Sequence, residues 1–418
     1  MSMGKYELVC QEDGEVFEDG YGLFCPSGHK GLMRTRYEVR EFSPRPCKGI
    51  FKFYDWLPVR SVYETDSCPV VFRSEKLSKE LGLNDLWVGL TGYYPERDCR
   101  SMSCTFKEME AYPTYARLRD SGGKTIVLAS AGNTARAFAQ IAAETGNRCI
   151  IVVPETSADK LTVTERSENV TLITVKGDYA DAIALADRVV ALGDFVSEGG
   201  ARNVARRDGM GTVMLQFAQT AGRLPDSYFQ GVGSGTGGIS AWEASLRLIG
   251  DGRFGDRLPR LRLSQNLPFT PMAKAWNAGR REILPEDLGK EREDVSQVYA
   301  EVLTNRKPPY SMKGGVFDAL TACDGSFIEV TNDEARSAER MWMQCENVRP
   351  DPAASVALAS LVKAVGDGTV DRDECVFLNM TGAGRDRVSE DYDLVTVAPK
   401  ADVDTDITDE ELRAIVDA

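Results

Sequence analysis

Histidine is nearly absent from this chain. Among 418 residues there is one, His29, close to the N-terminus. A Ser-His-Asp or Cys-His triad would have to use it, and a multi-histidine metal site is excluded. Proton transfer therefore falls to Lys, Asp, Glu or Tyr. A basic excess is also missing: 64 acidic residues outnumber 50 basic ones, for a formal net charge of −14. That balance speaks against sequence-independent binding to nucleic acid, and no nucleic-acid partner is expected. No apolar run approaches membrane-spanning length, and the opening Met1-Ser-Met-Gly-Lys-Tyr-Glu lacks the apolar core of a signal peptide. A cytoplasmic protein without a membrane partner is expected. The ten cysteines are scattered from Cys10 to Cys375 and do not form the dense framework of a small secreted domain. Free thiols in a reducing compartment are the expectation.

What is present reads as a long α/β protein. A chain of this length exceeds one compact core and predicts two domains with a small appendage. From Lys107 onward, short continuously apolar strands alternate with helical patterns. Strands are expected at 124–129, 149–153, 170–175, 227–232, 261–264, 327–330 and 374–379, and before them at 59–62, 68–72 and 86–90. Helices are expected at 74–81, 107–119, 134–145, 157–167, 179–191, 210–221, 239–249 and 332–344. Apolar strands between helices indicate doubly wound open sheets, mostly parallel and covered on both faces. The expected division is a ribbon-like segment 1–45, a larger domain from 46–120 with 215–400, a smaller α/β domain 121–214, and an acidic tail 401–418 with a short helix.

The N-terminal segment is β-rich and carries two degenerate knuckles, Cys10-Gln-Glu-Asp13-Gly14 and Cys25-Pro-Ser-Gly28-His29. A tetrahedral zinc ribbon needs Cys-x-x-Cys twice, and each knuckle has lost its second cysteine. Cys10, Cys25 and His29 leave a three-ligand set. The expected reading is a metal-free relic, with no metal.

Four short stretches carry chemistry. Lys107 lies in the hydroxyl-rich run Ser101-Met-Ser103-Cys104-Thr105-Phe106, at a helix start. A lysine sheltered beside apolar groups has its ammonium form destabilised and becomes a nucleophile toward an aldehyde. Gly233-Ser234-Gly235-Thr236-Gly237-Gly238 follows a strand and opens a helix, where free N–H groups, the helix dipole and two hydroxyls suit a phosphate. The run also matches Gly-x-Gly-x-x-Gly, but the next strand ends in Ser264 and Gln265 rather than the acid a dinucleotide site requires. Ser130-Ala131-Gly132-Asn133 is a second strand-to-helix turn, in which Asn133 either caps the helix or presents its amide to a ligand. Thr381 stands at a third strand end, before Gly382 and Gly384. A lysine, an amide, a phosphate cradle and a hydroxyl are the groups that pyridoxal 5′-phosphate requires.

In these motifs and their order the chain resembles the fold-type II pyridoxal-phosphate enzymes, the family of tryptophan synthase β, cysteine synthase and threonine synthase, with threonine synthase nearest. The family's Gly-Ser-Phe-Lys-Asp-Arg appears as Cys104-Thr105-Phe106-Lys107-Glu108-Met109, and Asp351-Pro-Ala-Ala-Ser355 is similar to its Glu-Pro-Ala-Ser segment. The resemblance implies a tryptophan synthase β-like architecture and a homo-oligomer. It implies Lys107 as catalytic residue, with Asn133, Gly233 to Gly238 and Thr381 as further cofactor contacts. The altered lysine motif implies a changed substrate, and the resemblance implies which reaction: β-replacement of the phosphate of O-phosphoserine by sulfite, on a route to coenzyme M. Arg100, Ser101, Ser103, Thr105 and Ser130 are the expected contacts to these small anions. Threonine synthesis from O-phosphohomoserine and another O-phosphoserine sulfhydrylase are the alternatives.

Overall fold

The computed structural model describes residues 5–417. The largest sheet has six strands in the order Ser326–Val330, Arg260–Asn266, Ser227–Gly231, Val376–Met380, Leu86–Leu90 and Val70–Arg73. All neighbours run parallel except the final pair. A second sheet is wholly parallel, in the order Phe195–Ser197, Thr125–Ala129, Cys149–Pro154, Val170–Val175 and Pro399–Val403. Its central strand Cys149–Pro154 is buried at every residue. This is why it reads as an unbroken apolar run rather than an alternating one. A small antiparallel sheet, with Tyr6–Cys10 between Val16–Phe17 and Met33–Tyr37, forms the N-terminal unit.

Most expected elements are present, and the departures have physical causes. The helix expected to start at 210 is Val204–Ala221, capped by the Asn203 side chain, which accepts the Ala205 N–H at 3.1 Å. Arg206, Arg207 and Asp208 look like a solvated loop but are buried and paired: Arg207 meets Glu243 at 3.0 Å, and Asp208 accepts from Arg247 and Tyr37, each at 2.6 Å. This helix packs on Glu108–Asp120 and Thr236–Asp251. The tail is not a free appendage. Strand Pro399–Val403 completes the smaller sheet, and helix Asp409–Asp417 packs Leu412 and Val416 with the Tyr179–Ala191 helix. The helix expected at 157–167 is a short 3-10 turn, Glu155–Lys160, followed by the strand Thr162–Val163. Consecutive β-branched residues favour that extended form. The strand expected at 59–62 does not form; the neighbouring Ile50–Trp56 is a 3-10 helix.

The N-terminal unit is pinned to this body. Arg117, on the helix after Lys107, donates to both oxygens of Asp19 at 2.6 Å, and Thr35 donates to Asp208 at 2.6 Å.

Candidate active site

Parallel strands Ser227–Gly231 and Val376–Met380 are direct neighbours, so the glycine loop and Thr381 emerge side by side at their carboxyl ends. Ligands of open α/β sheets bind at that edge. The lysine loop is laid across it by backbone bonds. Phe106 N–H donates to the Thr381 carbonyl at 2.9 Å and Ala383 N–H to the Cys104 carbonyl at 3.2 Å, with a bridge between Thr105 and Gly382. Cys104, where the resembled motif has glycine, holds a left-handed φ of 60°. Lys107 thus begins the Glu108–Asp120 helix beside Thr381.

The Lys107 amine faces a buried ionic chain. Its Nζ lies 3.3 Å from Glu110 Oε2, which also meets Arg206 Nε at 3.0 Å, and Arg206 pairs onward with Glu198. Burial lowers the Lys107 pKa first; Glu110 opposes this and Arg206 adds to it. Burial likewise pushes Glu110 up, against the pull of Arg206 and Lys107. Glu110 Oε1 is buried with no hydrogen-bond partner among the described residues. The lysine is therefore sheltered, as its context predicts, but by charges rather than by Phe106 alone.

In the glycine loop the Ser234 and Thr236 hydroxyls lie 2.8 Å from each other. Gly235, at φ 78°, turns the chain into the helix Thr236–Asp251. The first N–H groups of a helix have no acceptor within it. This turn therefore offers amides, two hydroxyls and the positive end of the dipole to one anion.

Asn133 does not cap its helix. Gly132 is the cap residue, and Asn133 is the first residue of Asn133–Thr145. Its Nδ2 donates to Asp351 Oδ2 at 3.3 Å, its Oδ1 accepts from Arg136, and the Asp351 N–H donates to the Gly382 carbonyl at 2.8 Å. Asn133 is thereby tied to the Thr381 turn through Asp351. Arg136 is 8% exposed and makes no carboxylate ion pair among the described residues. Burial, then the charge of Arg385, pulls its pKa down to about 10, with Asp351 opposing.

The expected anion contacts fare differently. Arg100 is exposed and pairs with Asp98 at 3.1 Å. Ser101 and Ser103 are buried and serve a carboxyl group. Glu108 accepts from Ser67 Oγ at 2.6 Å and from the Ser103 N–H, while Ser67 and Ser101 hydroxyls lie 2.9 Å apart. Burial, then the charge of Glu144, pushes Glu108 up to about 8. Thr105 Oγ1 accepts the Lys107 N–H at 3.2 Å, and Ser130 Oγ accepts the Gly132 N–H at 3.4 Å. These hydroxyls shape the loops, and the basic group beside Asn133 is Arg136. Sequence reasoning passed over Arg136, Glu110 and Arg206. Two of them stand at helical spacing from named residues, Glu110 three after Lys107 and Arg136 three after Asn133.

The donor set fits pyridoxal 5′-phosphate: an amine for the aldehyde, a helix N-terminus for the phosphate, and a hydroxyl at Thr381, a residue 8% exposed at the strand end. Residues 69–382 match the family model described as pyridoxal-phosphate dependent enzyme. The chain is 50% identical over 407 residues to a cysteate synthase of Methanocorpusculum labreanum, covering 96% of this chain and 98% of that one. It is 51% identical over 396 residues to a cysteate synthase of Methanoculleus marisnigri, covering 94% and 92%. The solved structure of maize serine racemase shares the fold at 17% identity, with a TM-score of 0.57 over 75% of this chain and 87% of that one. The chain belongs to the fold-type II pyridoxal-phosphate dependent enzymes, in one family with the cysteate synthases, and pyridoxal 5′-phosphate is its cofactor.

Proposed function

We propose that the enzyme replaces the phosphate of O-phospho-L-serine by sulfite, giving L-cysteate and inorganic phosphate on a route to coenzyme M. One observation carries this reading: Arg136, buried beside Asn133 without a carboxylate partner among the described residues, within reach of the Arg385 charge. Two guanidinium groups disfavour each other, and an anion bound between them relieves that repulsion. Both the leaving phosphate and the entering sulfite are anions. The names of relatives about half identical over nearly full length support the same substrates.

In this reading Lys107 holds the cofactor aldehyde, the Gly233 to Gly238 loop its phosphate, Thr381 its ring nitrogen and Asn133 its ring oxygen. The bound cofactor withdraws electrons from the substrate Cα, which makes the Cα proton acidic and lets the group on Cβ leave. Lys107 Nζ takes that proton, since burial disfavours its ammonium form. Glu110 Oε2 steadies the ammonium while it waits, and Lys107 returns the proton to Cα after sulfite sulfur has bonded Cβ. Arg206 keeps Glu110 aimed at the lysine. Thr381 offers a neutral hydroxyl rather than a carboxylate, which suits replacement at Cβ better than deeper carbanion chemistry. His29 lies in the N-terminal unit and has no part in the step. The reading includes a homo-oligomer working in the cytoplasm, consistent with ten free cysteines.

The test is product analysis of the holoenzyme with O-phosphoserine and sulfite, beside O-phosphohomoserine alone. Cysteate from the first pair is expected. Threonine from O-phosphohomoserine, with no reaction of O-phosphoserine, would instead make it a threonine synthase. Arg136→Gln is expected to raise the KM for sulfite or O-phosphoserine about tenfold or more, the loss of one charge-assisted hydrogen bond. Its cofactor absorbance stays intact. An unchanged KM for both removes Arg136 from the anion site.

A further inference from the structure

Two turns, each closed by a left-handed glycine, face each other in the N-terminal unit, far from any use in the chemistry above. In one, Gly14 (φ 79°) returns its N–H to the Cys10 carbonyl at 3.0 Å. In the other, Gly28 (φ 84°) returns its N–H to the Cys25 carbonyl at 2.9 Å. Left-handed glycine lets the chain double back beneath each sulfur. Backbone amides then point at the thiols, from Glu12 and Asp13 at Cys10 and from Ser27 and His29 at Cys25.

His29 Nδ1 lies 3.5 Å from Cys10 Sγ, 3.7 Å from Cys25 Sγ and 3.3 Å from Asp13 Oδ2. The ligand atoms of Cys10, Cys25 and His29 all fall within 4.8 Å of one another. One imidazole nitrogen has either one proton or one lone pair, so Nδ1 can hydrogen-bond only one of these three neighbours at a time. A cation at the centre satisfies all of them. Zinc bonds of about 2.3 Å to sulfur and about 2.0–2.2 Å to nitrogen or oxygen give tetrahedral edges of about 3.6 Å for S···N and about 3.4 Å for N···O. The three observed separations match those edges with no atom moved. Asp13 is already oriented: its Oδ1 accepts the Glu15 N–H at 3.0 Å, which turns Oδ2 toward the centre.

We propose that Cys10, Asp13, Cys25 and His29 form a tetrahedral zinc site. The broken knuckles of the sequence are then complete in another form, Cys-x-x-Asp and Cys-x-x-x-His. Two thiolates, an imidazole and a carboxylate in tetrahedral array select zinc over magnesium or calcium. The site is closed and structural, with no position for substrate. It locks the outer end of a unit whose inner end grips Arg117 and Asp208, on the two helices that flank Lys107.

The experiment is elemental analysis of the holoenzyme, produced with zinc in the medium and freed of loose metal by gel filtration with a mild chelator. About one zinc per chain is expected, together with a thiolate-to-metal charge-transfer band after cobalt exchange. Cys10→Ser/Cys25→Ser is expected to lose the metal and melt several degrees lower, while keeping the cofactor absorbance. Should that variant not fold, thiol modification of the wild-type protein gives the answer, by stoichiometric zinc release to a chromophoric chelator. Wild-type protein without zinc overturns the proposal. So does zinc retained equally by the double variant or after thiol modification, or a Cys10–Cys25 disulfide found in protein purified without reductant.

Discussion

The glycine loop and the Ser130–Asn133 turn are both strand-to-helix turns at the carboxyl ends of parallel strands, yet they are packed in opposite ways. A Cβ added at Gly233 would meet the Val302 carbonyl oxygen at 2.9 Å, one at Gly235 would meet Val316 Cγ2 at 2.4 Å, and one at Gly238 would meet Leu263 Cδ1 at 2.7 Å. At Gly132 the same addition meets only Val302 Cγ1, at 3.6 Å. The first turn is wedged from behind, so its amides are fixed before any anion arrives. The second has slack. A cofactor phosphate has one shape in every turnover, and a fixed cradle binds it without reorganisation. Two different anions, one leaving and one entering, call for side chains with room to adjust. Val302 lies beside both turns.

The most direct way to break this comparison is Gly235→Ala. An L-residue in the left-handed region costs roughly 1–2 kcal/mol, and forcing a methyl into a filled space adds about 1–3 kcal/mol. A loss of that order in denaturant unfolding, with weakened cofactor binding, is expected. A variant that unfolds and loads like the wild type would show that the loop is not wedged.

A second, smaller effect sharpens the picture of the rigid side. Glu108 holds the lysine loop through the Ser103 N–H and is pushed from 4.5 up to about 8, by burial and then by Glu144, which itself accepts from Tyr112 at 2.6 Å. Between those values the folded protein keeps a proton that the unfolded chain has released. Stability therefore falls as pH rises from about 4.5 toward 8 and levels off above. Glu108→Gln keeps an oxygen to accept the Ser103 N–H and presents an NH2 to Ser67, whose hydroxyl then turns to accept, but it cannot ionise. Melting temperature measured against pH should be flatter for the variant, which gains on the wild type at and above pH 8. Parallel curves would mean that Glu108 does not titrate in this range.

The parts of the fold that sequence reveals are those where one physical pattern decides. Cys149–Pro154 is apolar throughout and could be little but a buried strand. Lys107, Asn133, Thr381 and the glycine loop are recognisable because each sits where a strand turns into a helix or loop. Arg136 escaped because an arginine is normally solvated, and nothing local says that the Asn133–Thr145 helix buries it. Ser101 and Ser103 looked like ligands because free hydroxyls do; that Glu108 claims them depends on a fold that puts Ser67 nearby. Residues 401–403 read as tail because they end the edge strand Pro399–Val403, whose Lys400 and Asp402 are exposed, the usual way such an edge is kept from pairing further.

Gly132→Ala carries the smallest expected effect and isolates the loose side. Gly132 has φ −114° and ψ −147°, an extended conformation open to any residue. A methyl there adds only an ordinary contact with Val302, so nothing in the folded state is strained. Fewer conformations in the unfolded chain favour alanine by about 0.4–1 kcal/mol. Unfolding should show no loss of stability, and cofactor loading should be unchanged. Any consequence should appear in the KM for sulfite and O-phosphoserine, because the methyl narrows the space between Asn133 and Val302 without touching the glycine loop. A stability loss as large as that of Gly235→Ala would erase the difference between the two turns, and the division into a fixed cofactor cradle and an adjustable substrate side would go with it.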